Sequence, residues 1–325
     1  MSEGPHVLFW GPEGPISGLY RERLPDGWRL STLRDRDDEE GKLRLLPDVD
    51  VVVHTDNTPL TRAHLDAARR LRLVHRQGVG LDAVDQDELR ARGVALAVCT
   101  AGTAESVAEH TVLLALAAGR HLVRLHDDVA RQGRWPKWDY RSTSVGLAGS
   151  TVGLVGFGRI GQAVARAVLA LGSDVLVHRR REGPLGAEWA GRPVRAAAGL
   201  DELFAAADVV SLHCPLLPEN RGMVDARRLG LMREHAVFVN TARGGLVVQD
   251  DLVAALRAGR PAAAGLDVFA QEPVAPDDPL LGLPNVVVTP HCAAGTRTTS
   301  VQKAQAVLDN IGRFWAGEPV EDRVV

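Results

Sequence analysis

Short, nearly continuous apolar runs alternate along the chain with stretches whose apolar residues recur every three to four positions. The first runs are 6–10 (HVLFW), 49–55 (VDVVVHT), 71–78 (LRLVHRQG) and 94–98 (VALAV). Between them, 61–70 (TRAHLDAARR) and 85–93 (DQDELRARG) carry helical spacing. A strand apolar on both faces and flanked by helices marks a parallel sheet covered on both sides. A second set of runs begins at 151–157 (TVGLVGF) and continues at 174–178, 207–214, 236–242, 263–269 and 285–291. The pattern therefore predicts an α/β protein with two parallel-sheet units. The acidic and basic run 31–42 (STLRDRDDEEGK) reads as a solvated loop or helix face.

The longest helical pattern covers 104–122, with Thr103 as its expected N-cap and Glu105 in its first turn. Val107, Leu114 and Ala118 share one face, and Leu113 and Leu116 widen the apolar surface. A helix of that kind is expected between domains or subunits. Residues 133–150 are aromatic and polar and read as a loop, and a last helix, 298–317, ends at Gly317.

Composition adds limits. A chain of 325 residues is long enough for two domains. With 45% hydrophobic and 24% charged residues it is neither disordered nor fibrous. A net charge of -3 offers no general attraction to nucleic acid or anionic lipid, so neither partner is expected. No stretch of 18 apolar residues and no leader pattern is seen, so a cytoplasmic, reducing setting is the expectation. Cys99, Cys214 and Cys292 are too widely spaced for a zinc motif or a disulfide framework, and no metal site is predicted. Of 38 basic residues only Lys42, Lys137 and Lys303 are lysines, so a lone arginine carries little information here.

The strongest local signal is Gly156, Gly158 and Gly161 in GFGRIG, which follows a strand run and opens the helical pattern 160–172. That context is what a dinucleotide site requires. Gly156 permits the turn, Gly158 admits the pyrophosphate, and Gly161 lets the helix pack on the strand. The phosphates would meet the N–H groups of the helix N-terminus. The next strand ends at His178, Arg179, Arg180 and Arg181, with no carboxylate before Glu182. A carboxylate there would accept from a ribose 2′-hydroxyl, whereas guanidinium groups bind a 2′-phosphate. NADP(H) is therefore expected in preference to NAD(H). Three polar residues stand at the ends of late strand runs: Arg243, Glu272 and His291. Together, at the carboxyl edge of such a sheet, they are a candidate catalytic set.

Seven stretches resemble the D-isomer-specific 2-hydroxyacid dehydrogenase family: 78–85 (GVGLDAVD), 107–111 (VAEHT), 153–161 (GLVGFGRIG), 208–220 (DVVSLHCPLLPEN), 239–245 (VNTARGG), 266–273 (LDVFAQEP) and 289–294 (TPHCAA). They come in family order and span nearly the whole chain. The resemblance implies that His291 is the general acid protonating the substrate carbonyl oxygen, with Glu272 pairing it and favouring imidazolium. Arg243 would bind the substrate carboxylate, and main-chain N–H groups of Val79 and Gly80 would hold it as well. Asp267 would accept from the nicotinamide amide, with Arg159, Ile160, Cys214 and Thr241 lining the cofactor. It also implies a doubly wound (Rossmann) cofactor domain, 101–291, inserted in a smaller flavodoxin-like substrate domain, 1–100 plus 292–325. The helix from Ala104 would contribute to a homodimer, and Trp138, with Trp135 in GRWPKW, would help shape a neighbour's pocket.

The expected reaction is hydride transfer between NADP(H) and a small 2-oxo or D-2-hydroxy acid, most of all glyoxylate or hydroxypyruvate reduction. The alternative is a short D-3-phosphoglycerate dehydrogenase using NAD, for which Arg76 or Arg297 would meet the phosphate. A dinucleotide-sensing, corepressor-like binding protein is a remote third reading.

Overall fold

A computed structural model describes residues 4–55, 58–180 and 183–325, which form two compact units. The first comprises residues 1–103 and 295–325, and the second 104–294.

In the first unit, β1 (His6–Pro12), α1 (Pro15–Arg23), β2 (Arg29–Leu33), α2 (Glu39–Leu45), β3 (Val51–His54), α3 (Arg62–Ala67), β4 (Leu73–Arg76), α4 (Gln86–Ala91) and β5 (Ala95–Val98) follow in order. All strand pairs are parallel, in the order β2-β1-β3-β4-β5. Alternate residues of β1 serve opposite faces: Leu8 and Trp10 join one apolar cluster, and Val7 and Phe9 the other. Thr61 caps α3 and Asp85 caps α4, each accepting a main-chain N–H three residues on. The one unexpected strand here is β2, which is half-buried, with only Leu33 fully inside. An edge strand needs only one apolar face and lacks the continuous run that betrays a central one. It corrects the loop-or-helix reading of residues 31–33.

The second unit opens with α5 (Thr103–Gly119) and α6 (Leu122–Ala130). It continues with β6 (Thr151–Val155), α7 (Arg159–Ala170), β7 (Asp174–His178), β8 (Val194–Ala196), α8 (Leu200–Ala206), β9 (Val209–Leu212), α9 (Ala226–Leu231), β10 (Val237–Asn240), α10 (Gln249–Arg257), β11 (Ala263–Leu266) and β12 (Val286–Val288). The seven strands are parallel, in the order β12-β11-β10-β9-β6-β7-β8. The chain runs outward in both directions from β6, so the switch in winding lies between β6 and β9. In doubly wound sheets ligands bind outside the carboxyl ends of strands at that point.

The long helix departs from its expected form in two ways. Thr103 is its first residue rather than its cap, and the buried hydroxyl has no hydrogen-bond partner among the described residues. The expected single helix also breaks before 122, because His121 takes a left-handed conformation (φ 54°) and caps a separate helix, α6.

The last helix, α11 (Arg297–Trp315), returns to the first unit. Its Ala304, Val307, Leu308 and Ile311 recur at helical spacing and are buried in the cluster that holds Val7 and Leu73. Burying each of the larger side chains contributes about 1.5–3 kcal/mol. Residues 322–325 then lie along the edge of β5, with Leu96 N–H donating to the Val325 carbonyl and Val324 N–H to Leu96. No helix among the described residues is long and apolar enough to cross a membrane.

Candidate active site

The turn after β6 has the form that its glycines require. Gly156 has φ 102°, and a Cβ there would lie 2.5 Å from the His213 carbonyl oxygen. A Cβ on Gly161 would lie 2.3 Å from the Gly156 carbonyl oxygen, so α7 can approach the turn only as glycine. Over Gly158, by contrast, a Cβ would meet nothing within 4 Å. Gly158 is the N-cap of α7 and offers no side-chain cap. The open space over Gly158 at this helix N-terminus fits a dinucleotide pyrophosphate. Arg159 is exposed, and Ile160 packs partly on the sheet's apolar cluster.

Beyond β7 the basic tract is engaged within the chain. Arg179 Nη2 donates to the carbonyls of Gly183 and Pro184 at 2.8 and 2.5 Å. Arg180 Nη1 lies 3.2 Å from Glu219 Oε1. His178 is half-buried and held below its ordinary pKa, first by desolvation and then by Arg228. Arg181 and Glu182, named in the expectation, lie outside the described residues. Glu219 is the member that the linear reading missed. It is 39 positions from Arg180, and only the fold brings the two together.

Two further cofactor candidates sit at neighbouring strand ends. Cys214 is half-buried, and burial pushes its thiol up to about 11. The Thr111 hydroxyl donates to the Val107 carbonyl at 2.7 Å. Its 3.0 Å bond with Thr241 Oγ1 must therefore be donated by Thr241.

At the end of β10, Asn240 is buried and spans the turn that carries Arg243. Its Nδ2 donates to the Arg243 carbonyl at 2.9 Å, and its Oδ1 accepts from Ala242 N–H at 3.0 Å. Asn240 lies in the VNTARGG stretch, where nothing in the linear sequence marks it as a support for Arg243. Arg243 is half-buried, and its Nη1 donates to Ala242 O at 2.7 Å. A Cβ on Gly244 would lie 1.9 Å from the Phe269 main chain. Glycine thus lets the Arg243 loop touch the segment that leads to Glu272.

That segment is built around Asp267, which is fully buried. Its Oδ1 accepts from Thr289 Oγ1 at 2.6 Å and Cys292 N–H at 2.9 Å, and its Oδ2 from Ala293 N–H at 2.9 Å. His291 N–H donates to the Asp267 carbonyl at 2.8 Å. These bonds hold His291 in a left-handed conformation (φ 51°), which costs a non-glycine residue on the order of 1–3 kcal/mol. Glu272 Oε1 accepts from Phe269 N–H at 3.1 Å, while Oε2 lies 2.6 Å from His291 Nδ1. A carboxylate on Nδ1 places a proton there and makes Nε2 the ring position that exchanges protons with a ligand.

The structure thus gathers Arg243, Glu272, His291 and Asp267 at the ends of β10, β11 and β12 in one unit. Trp138 is in the same unit but on its surface, 62% exposed between Lys137 and Arg141. Trp135 is 79% exposed. Val79 and Gly80 belong to the first unit, in the loop after β4. There the buried Arg76 donates from Nε to the Gly80 carbonyl at 2.9 Å and also contacts His54 Nδ1.

Residues 112–293 match the family model of the D-isomer specific 2-hydroxyacid dehydrogenase NAD-binding domain. The hydroxypyruvate reductase of Blautia hydrogenotrophica is 35% identical over 290 residues, covering 87% of each chain. The D-3-phosphoglycerate dehydrogenase of Mycobacterium tuberculosis is 38% identical over 290 residues, but this chain spans only 54% of that protein's length. Among solved structures, the NADPH-dependent glyoxylate/hydroxypyruvate reductase of Sinorhizobium meliloti, in complex with NADP and malonate, superposes with a TM-score of 0.82 at 29% identity, over 99% of this chain and 97% of its own. The chain belongs to the D-isomer specific 2-hydroxyacid dehydrogenase family, the NAD(P)-dependent enzymes that act on CH–OH groups.

Proposed function

We propose that the protein is an NADP(H)-preferring reductase of small 2-oxo acids, with glyoxylate and hydroxypyruvate as its favoured substrates. The observation that carries this reading is the pair of His291 Nδ1 and Glu272 Oε2 at 2.6 Å, on a segment that the Arg243 loop touches at Gly244. The bound nicotinamide supplies the hydride. His291 delivers the proton from Nε2 to the carbonyl oxygen, and Glu272 stabilises the imidazolium before that transfer. Arg243 binds the substrate carboxylate through its planar fork and fixes which face of the carbonyl is presented. In the first unit, the loop of Val79 and Gly80 is the substrate-binding element. In the second, Gly156, Gly158, Arg159, Ile160, Gly161, Cys214 and Thr241 line the dinucleotide, with Asp267 accepting from its amide.

The preference for NADP(H) is supported by His178, Arg179 and Arg180 at the end of β7, none of which is a carboxylate. Both arginine contacts are exposed, and a 2′-phosphate carrying close to two charges competes well with carbonyl oxygens and a single surface carboxylate. We also propose a cytoplasmic homodimer. Leu113, Leu122, Val123, Val129, Trp135 and Trp138 are all exposed on α5, α6 and the loop that follows. A partner copy would cover them and receive Trp138 near its substrate pocket.

A phosphoglycerate dehydrogenase activity is the second reading, favoured by the identity to such relatives. Arg76 does not serve it well, since that side chain is buried and bound to the Gly80 carbonyl, which leaves Arg297, exposed at the start of α11. Loss of NADPH absorbance with glyoxylate, hydroxypyruvate and phosphohydroxypyruvate tests the proposal. Turnover confined to the first two supports it, and efficient turnover of phosphohydroxypyruvate alone would replace it with the second reading.

A further inference from the structure

Three side chains of different ligand type converge behind His291. His110 stands on α5, Asp267 ends β11, and Cys292 follows His291. One ligand atom from each lies within 4.8 Å of the other two. His110 Nε2 is 3.6 Å from Asp267 Oδ1. A tetrahedral ion with bonds of about 2.0–2.3 Å holds its ligands about 3.3–3.8 Å apart. The imidazole and carboxylate already have that spacing. The thiol is the exposed member, so a rotation about its own χ1 can complete the set.

The hydrogen bonds leave room for such an ion. The three donors on Asp267 occupy two positions on Oδ1 and one on Oδ2. An ionised carboxylate offers about four lone-pair positions. The Cys292 thiol lies within 4.8 Å of a ligand oxygen of this carboxylate. His110 Nε2 lies 2.9 Å from Thr289 Oγ1, whose own proton goes to Asp267. His110 Nε2 therefore donates in the metal-free state; a cation would require the imidazole proton on Nδ1 instead and would replace the thiol proton on sulfur.

We propose that His110, Asp267 and Cys292 bind a borderline-soft divalent cation of the zinc class, with water as fourth ligand, and that the bound ion shuts the nicotinamide amide out of its place on Asp267. The second half rests on the assignment of Asp267 as the amide acceptor. Thiolate and imidazole select against magnesium and calcium, which take oxygen ligands. The thiol must give up its proton to become a ligand, so metal binding releases a proton. No linear spacing announces this site: its three ligands come from segments 157 and 25 positions apart.

Co2+ added to the metal-free protein is the direct probe. The proposal predicts a thiolate-to-cobalt band in the near ultraviolet and strong visible bands of a four-coordinate ion. Cys292→Ser and Cys292→Ala each abolish the thiolate band, and His110→Ala weakens the visible ones. Zn2+ should inhibit competitively with NADPH, and Cys292→Ser should raise its inhibition constant by about tenfold or more while leaving metal-free turnover near normal. Absence of the thiolate band, or its survival in both cysteine variants, overturns the site. Equal Zn2+ inhibition of the parent and both cysteine variants overturns it as well. Visible bands that NADPH displaces support both halves. Bands that NADPH leaves unchanged support the site and count against the Asp267 assignment alone.

Discussion

The Asn240 amide bridges the turn that presents Arg243, donating to the Arg243 carbonyl at 2.9 Å and accepting from Ala242 N–H at 3.0 Å. One buried side chain thereby fixes the backbone on which the guanidinium stands. Asn240→Ala should lower kcat/KM for a 2-oxo acid on the order of 10²-fold, because misplacing a binding group by an ångström has that effect. Removing the bridge also leaves a buried turn with unpaired groups, a stability loss of about 1–3 kcal/mol. Steady-state kinetics with a melting curve checks both. Unchanged kcat/KM would show that the turn holds Arg243 without the amide.

The exposed pair of Arg180 and Glu219 sets the second expectation. Arg180→Asp should shift kcat/KM toward NADH, and Glu219→Gln should shift it toward NADPH by releasing the guanidinium to a 2′-phosphate. Parallel kinetics with the two cofactors measures both changes. A preference that neither variant moves would remove this strand end from cofactor choice.

At Gly156, φ 102° and the His213 carbonyl 2.5 Å from a would-be Cβ act together. Gly156→Ala is expected to weaken dinucleotide binding sharply and to lower the melting temperature. Dinucleotide titration by fluorescence reads the first effect and calorimetry the second.

His75 predicts an acid sensitivity in the first unit. Its Nδ1 donates to the Arg76 carbonyl, and its Nε2 accepts from Asn310 Nδ2 at 3.0 Å, so the ring is neutral. Desolvation lowers its pKa to about 4, against an ordinary value of 6.5. The folded pKa lies below the unfolded one. This stabilisation is therefore complete above about pH 6.5 and is lost as pH falls toward 4. His54, lowered to about 3 chiefly by burial and then by Arg76, acts in the same direction. Melting temperature measured from pH 7 to pH 4 should fall, and His75→Gln should flatten the decline. A variant with an unchanged slope would assign the acid sensitivity elsewhere.

The central strands were legible because they are buried on both faces and read as continuous apolar runs: Val51–His54 and Val237–Asn240 stand inside their expected segments. The edge strands β2 and β8 were not, since a half-solvated strand of three to five residues carries no such run. Arg243, Glu272 and His291 could be picked out because each follows a strand, and their motifs come in family order. Asn240, His110 and Glu219 passed unnoticed as ordinary polar residues. Their roles rest on contacts with residues three, 157 and 39 positions away, of which only the first is local. The break at His121 was likewise hidden, because a left-handed residue other than glycine leaves no sequence mark.

The pair of His291 and Glu272 bears most directly on the reaction. NADPH oxidation with glyoxylate and hydroxypyruvate should be measured for the parent protein, His291→Ala and Glu272→Gln, each first shown to be folded and to bind NADPH. The account predicts turnover by the parent, a loss of about 10²–10⁴-fold in kcat for His291→Ala and a smaller loss for Glu272→Gln, with NADPH affinity nearly unchanged. A His291→Ala variant that reduces either acid at the parent's rate would contradict it.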